Sequence, residues 1–254
     1  MARFPFKSVL LTGASSGIGR AFAVECARLG TRNLFLSGRD AARLEETARA
    51  CAEAGCARVE TRVADVNDAD AMRRWIEESD AAAPLELVFA NAGIAAMEET
   101  AQNVRNVFDT NIGGTVNTVL PALDVFERRG SGIRRIAITS SIAGYGPLAA
   151  CPSYSASKAA VKTWGLSLRA RYAREGIDVC VVCPGFVRSG ITDKNTCPMP
   201  FFMEAPVAAR KICRGIARNR GVISFPWPLR FAAWLVSALP WRIAGKIVSA
   251  LPGK

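Results

Sequence analysis

Short apolar runs alternate with stretches of helical periodicity from Lys7 to Gly185. KSVLLT (7–12) has the length and apolar character of a strand, and GIGRAFAVECARLG (17–30) follows with a helical pattern ending at Gly30. NLFLS (33–37) reads as a second strand. The next stretch, 40–55, reads as a helix with Asp40 as its N-cap and Gly55 at its end. ARVETRV (57–63) gives a third strand, DADAMRRWIEES (68–79) a helix, and LELVFA (85–90) a fourth strand. One helix through Asn111 and Leu123 comes next. RIAITSS (135–141), a helix bearing Tyr154, and DVCVVCPG (178–185) complete the series. Strands alternating with helices predict βαβ units, hence an α/β fold: one doubly wound parallel sheet covered on both faces.

Length and composition agree with that architecture. A chain of 254 residues, half of them hydrophobic, can bury one large core. No stretch reaches the roughly 18 apolar residues of a membrane-spanning helix. The apolar run after Arg3 and Lys7 is too short for a signal peptide, so a cytoplasmic protein is expected. The absence of histidine removes Ser-His-Asp and Cys-His catalysis and histidine metal sites, and no metal site is expected. Eight scattered cysteines without a secretion signal read as reduced thiols. Cys180 and Cys183 form a CxxC, but in a strand their odd spacing points them to opposite faces, which argues against a redox or zinc pair.

Charge is uneven. Of the net +11, nine positive charges lie after Glu204, where no acidic residue remains.

Two patterns carry candidate chemistry. TGASSGIG (12–19) joins the first strand to the first helix. Its glycines allow a tight turn and close approach to a pyrophosphate, and the helix N-terminus offers free N–H groups. At the end of the second strand, where NAD sites usually hold an acid, the chain reads SGRD (37–40). Arg39 would suit a 2′-phosphate through its charge and fork of donors, which favours NADP(H) over NAD(H). YSASK (154–158) sets Tyr154 and Lys158 four residues apart, on one helix face with only small residues between.

Taken in order, these motifs resemble the short-chain dehydrogenase/reductase family over roughly residues 7–226. They are TGASSGIG, Asp65 in ADV, NAG at Asn91–Gly93, Asn111, Ser140–Ser141, YSASK, and Pro184–Gly185. The resemblance implies a Rossmann-like catalytic domain over 1–226 and a homo-oligomer. It implies a cofactor site at Gly13, Ser15, Ser16, Gly17, Ile18 and Gly19, with Arg39 at its rim. Asp65 and Val66 would hold the adenine, and Asn91, Ala92 and Gly93 would line the cofactor. Pro184, Gly185 and Val187 would contact the nicotinamide, with Ser189 nearby. It also implies a catalytic set of Asn111, Ser141, Tyr154 and Lys158. Tyr154 would donate a proton to a carbonyl oxygen that Ser141 positions. Lys158 would hold the nicotinamide ribose and, when protonated, together with the oxidised nicotinamide lower the Tyr154 pKa toward neutrality, and Asn111 would hold a relay water. Ala90 departs from the asparagine often found before NAG, and Ser189 stands where many members have threonine.

Residues 186–204 occupy the place of the family's substrate lid. Their Met and Phe residues suggest a lipophilic carbonyl or alcohol substrate, although core packing is an equal reading of the same residues. The last segment, 227–254, reads as a helical extension, with short apolar helices over 229–239 and 241–251 separated by Pro240. Trp227, Trp234 and Trp241 join Arg230, Arg242 and Lys246 there. Such a segment suits peripheral contact with a membrane at its inner face, or a subunit interface or active-site cap. Its apolar content argues against nucleic acid. A catalytically silent dinucleotide-binding regulator is the alternative function, but loss of catalysis would be expected to remove the Tyr, Lys or Ser, and all three are present.

Overall fold

The computed structural model describes residues 4–96, 98–192 and 198–250. Among the described residues, seven parallel strands form one sheet in the order β3-β2-β1-β4-β5-β6-β7. They are β1 (Ser8–Thr12), β2 (Asn33–Gly38), β3 (Arg58–Val63), β4 (Leu87–Ala90), β5 (Arg135–Thr139), β6 (Asp178–Pro184) and β7 (Val222–Phe225). The helices are α1 (Gly17–Arg28), α2 (Ala41–Glu53), α3 (Ala69–Ala82), α4 (Ala101–Phe108), α5 (Gly114–Arg129), α6 (Pro152–Tyr172), α7 (Ala205–Ala217), α8 (Trp227–Ala238) and α9 (Trp241–Ala250).

Alternation along the strands builds two cores. Val9 and Leu11 of β1 point into one, with α1, α2 and α7; Leu10 points into the other, with α3, α5 and α6. Cys180 and Cys183, both fully buried, follow the same rule. Cys180 joins the first core, while Cys183 faces Ser140, Tyr145 and Lys162. Two caps expected from the sequence are present: Asp40 accepts from the Arg43 amide at 3.0 Å, and Gly55 closes α2 with φ +100°.

Two features differ from the sequence expectation. The single helix through Asn111 is two helices, α4 and α5, joined by a π turn over Asp109–Gly113. Side-chain bonds from Asn111 across the fold hold that extra residue in place. The second is β7, a four-residue edge strand between Gly221 and Pro226, too short to show a period.

Candidate active site

The sheet order reverses between β1 and β4, and the chain ends of these strands open a crevice there. Its cavity, about 480 Å³, is lined by Gly13, Ser15 through Gly19, Arg39, Asp65, Val66, Asn91 through Gly93, Ser141, Tyr154, Lys158, Pro184, Gly185, Val187 and Ser189. The structure therefore brings every residue expected to bind the cofactor onto one cleft. Among the four expected catalytic residues, Asn111 alone is not in its wall.

The loop after β1 shows why its glycines are required. Gly13 adopts φ +67° and Gly17 φ +51°. A Cβ at Gly19 would lie 2.0 Å from the Gly13 carbonyl oxygen, so α1 can begin this close to β1 only without a side chain. Ser16, the N-cap of α1, makes no side-chain cap bond, and the first turn holds no acidic residue. Those amides and the dipole end face the crevice and suit a phosphate. Thr12 Oγ1 accepts from the amides of Asn91 and Ala92, and Asn91 Nδ2 donates to the Thr12 carbonyl at 3.2 Å. These bonds lock the ends of β1 and β4 together. The cradle fits a dinucleotide.

At the rim, Arg39 lies 4.0 Å from Asp65, and both side chains are largely exposed. Asp40 is already committed. One oxygen caps α2, and the other accepts from Arg43 Nε at 2.6 Å. The hydrogen bonds from Arg43 hold the Asp40 carboxyl below its ordinary range.

The other end of the crevice is built on α6. Tyr154 and Lys158 share one face, and the Lys158 Nζ lies 5.7 Å from the centre of the Tyr154 ring while donating to the Thr139 carbonyl at 3.1 Å. Ser141 lies in the same wall of the cleft as Tyr154, its Oγ donating to the Pro184 carbonyl at 3.3 Å. Burial pushes Tyr154 up to about 12, against the pull of Ser141. Burial likewise pulls Lys158 down to about 8. The expected fall of the Tyr154 pKa toward neutrality invokes the oxidised nicotinamide as well as Lys158. With the protein's own groups, loss of water around the hydroxyl outweighs the lowering effect of Ser141.

Asn111 sits behind this pair. Its Nδ2 donates to the Ile94 carbonyl and to Ser157 Oγ, and its Oδ1 accepts from the Ile94 amide. A Cβ at Gly93 would be 3.1 Å from both Asn111 Oδ1 and Lys158 Nζ, so Gly93 is what separates the two.

Several supporting contacts carried no local signal in the sequence, although Ser140 itself belongs to a motif. Ser140 Oγ donates to the Lys158 carbonyl at 2.7 Å. Glu99 accepts from the amide and hydroxyl of Ser153 in the first turn of α6, one residue before Tyr154. Gly144 lets the turn Ile142–Tyr145 press on α6, since a Cβ there would be 2.6 Å from the Lys158 carbonyl oxygen. Only the fold reveals these contacts, because the partners are distant in sequence.

The segment expected as a lid begins and ends on a bridge between Val187 and Met203. Arg188 donates to the Met203 carbonyl, and Met203 to that of Phe186, at 2.9 and 3.0 Å. Met203 packs against the first core, whereas Phe201 and Phe202 are exposed. Residues 193–197 lie outside the described residues.

A model of the short chain dehydrogenase family matches residues 7–198. An uncharacterized oxidoreductase of Myxococcus xanthus is 39% identical over 248 residues, which cover 94% of this chain and 95% of that protein. A short-chain dehydrogenase/reductase from Burkholderia phymatum, solved in complex with NAD, aligns with a TM-score of 0.82 at 26% identity, over 92% of this chain and 93% of that one. A short chain dehydrogenase from Mycobacterium paratuberculosis bound to NAD aligns with a TM-score of 0.74 at 27% identity, over 86% and 94% of the two chains. Sequence match and fold agree with the layout of the cleft, and the chain belongs to the short-chain dehydrogenase/reductase family as an NAD(P)-dependent oxidoreductase.

Proposed function

We propose that the protein interconverts a lipophilic ketone and its alcohol with NADP(H). The observation that carries this reading is Tyr154, in the cleft wall with Ser141 and set one helical turn from buried Lys158. Bound NADPH would supply the hydride. Tyr154 holds the proton that a carbonyl oxygen must gain, and its raised pKa keeps it protonated at neutral pH. Ser141 gives that oxygen a second hydrogen bond and fixes its position. Lys158, close beside Tyr154, stabilises the tyrosinate left after proton donation when it is charged. Asn111 braces this set from behind through Ser157.

Two further assignments complete the proposal. Arg39 favours NADP(H), because Asp40 is tied up in the α2 cap and cannot serve as the free acid that a ribose 2′-hydroxyl would bond. The solved relatives named above carry NAD, so this preference belongs to this chain's own rim. Ile191, in the cleft wall, together with exposed Phe201 and Phe202, supports an apolar substrate. Homo-oligomeric assembly follows from the family resemblance, and buried thiols at Cys26, Cys51, Cys180 and Cys213 fit a reducing cytoplasm.

Turnover of ketones of graded chain length, each with NADPH and with NADH, tests the reading. It predicts kcat/KM rising with chain length and higher with NADPH. A preference for charged or sugar carbonyls, or for NADH, contradicts it.

A further inference from the structure

Helix α8 carries one charged residue, Arg230, and none of its residues is buried. A helix apolar all round belongs inside a protein or against lipid, not in water. Its bare side is a continuous stripe: Trp227, Phe231, Trp234 and Leu235 fall at i, i+4, i+7 and i+8, and Trp227 is 75% exposed. On α9, Trp241 at 67%, with Ile243 and Ile247, extends the apolar surface, and Arg242 and Lys246 lie among them. An exposed patch of this kind marks an interaction site.

The inner side of α8 is where the cleft ends. A Cβ at Gly185 would meet Pro226 and Leu229 at 2.9 and 3.2 Å, and α8 packs on the turn Ile142–Tyr145 that follows Ser141. One side of the helix therefore rests on the substrate end of the site, and the other is uncovered.

Charge identifies what covers it. The chain has no acidic residue after Glu204 and nine basic ones. A second copy docking face to face would bring Arg242 and Lys246 of both copies into one interface, with no carboxylate on either helix to pair them. A bilayer surface rich in anionic headgroups pairs them, takes up the apolar stripe, and accepts tryptophan at the headgroup level. At 12 and 10 residues the helices fall short of the ~20 needed to span, and no described helix is long and apolar enough to cross a membrane.

We propose that α8 and α9 form a peripheral docking surface for anionic membranes, which brings the substrate end of the cleft to the lipid. Docking does not depend on which ketone is reduced. The test is co-sedimentation of the full chain with vesicles of phosphatidylcholine containing about a third phosphatidylglycerol, and with pure phosphatidylcholine vesicles. The expected result is binding to the anionic vesicles at low salt, weakened about tenfold or more by ~0.5 M salt. Arg242→Glu with Lys246→Glu, and separately Trp234→Ser with Trp241→Ser, should each weaken it about tenfold. These sites are exposed, so circular dichroism should match wild type. No binding to anionic vesicles at low salt overturns the proposal, as does binding that both double variants leave intact. A change in oligomeric mass in the variants, without vesicle binding by the wild type, assigns the face to a second copy and equally overturns it.

Discussion

Asn111 donates its Nδ2 hydrogen to the Ser157 hydroxyl at 2.9 Å, a buried bond that ties the π turn to the helix carrying Tyr154 and Lys158. Ser157 in turn donates to the Tyr154 carbonyl at 2.8 Å. A π turn commonly marks a functional site, because the extra residue re-aims a side chain. Here it aims Asn111 at the back of the catalytic helix. Ser157→Ala removes one of the two acceptors for the Asn111 amide. Thermal unfolding should show a loss of about 1 kcal/mol, roughly 2–4 °C in Tm. Turnover should fall while dinucleotide affinity holds. An unchanged kcat would show that the brace is structural only.

Gly19→Ala tests the dinucleotide cradle. The added Cβ would lie 2.0 Å from the Gly13 carbonyl oxygen, which is backbone and cannot swing aside. The loop must shift to relieve that clash, at a cost of about 1–3 kcal/mol or more. Dinucleotide binding, followed by fluorescence titration, should weaken at least about tenfold. Retention of wild-type affinity would mean that the loop does not hold the pyrophosphate.

Arg39→Ala tests cofactor choice. A charge-assisted hydrogen bond is worth about 1.5–3 kcal/mol, so kcat/KM with NADPH should drop about 10- to 100-fold. The value with NADH should hardly move. An equal loss with both cofactors would assign Arg39 to its ion pair with Asp65 rather than to a phosphate.

Lys158 makes stability depend on pH. Burial lowers its folded pKa to about 8 from an ordinary 10.5. Between those values the unfolded chain binds more protons, so this contribution to stability rises with pH across that window and is most unfavourable below about 8. The penalty near pH 7 is about 3 kcal/mol. Denaturant unfolding of the apoprotein and of Lys158→Met should therefore show the variant's advantage shrinking from pH 7 to pH 10. A difference independent of pH would mean that Lys158 keeps its ordinary pKa.

Much of this fold is legible in the sequence for a simple reason. Strands buried on both faces, such as VCVVC in β6, need uninterrupted apolar residues, and the glycines of TGASSGIG must be where backbone approaches backbone. The opposed faces of Cys180 and Cys183 follow from strand period alone. What stays hidden depends on partners far along the chain. The π turn exists because Asn111 reaches Ile94 and Ser157, and Glu99 steadies α6 from a loop. The strand β7 is too short to announce itself. Spacing reveals a lysine near Tyr154 but not the removal of water from the hydroxyl, which raises its pKa in the protein alone. The pattern did reveal the two short terminal helices; their bare outer faces appear only once α8 is seen to lie on the catalytic end.

The assignment of Tyr154 as the proton donor is central, and Tyr154→Phe tests it most directly. The substitution removes one oxygen and leaves the ring and α6 in place. Dinucleotide titration and turnover of an accepted ketone should be measured on the same preparation. The account predicts cofactor affinity within about twofold of wild type and turnover at or below about 1%, since a positioned donor contributes about 10²–10⁴-fold. Turnover well above that level with the cofactor still bound would contradict it.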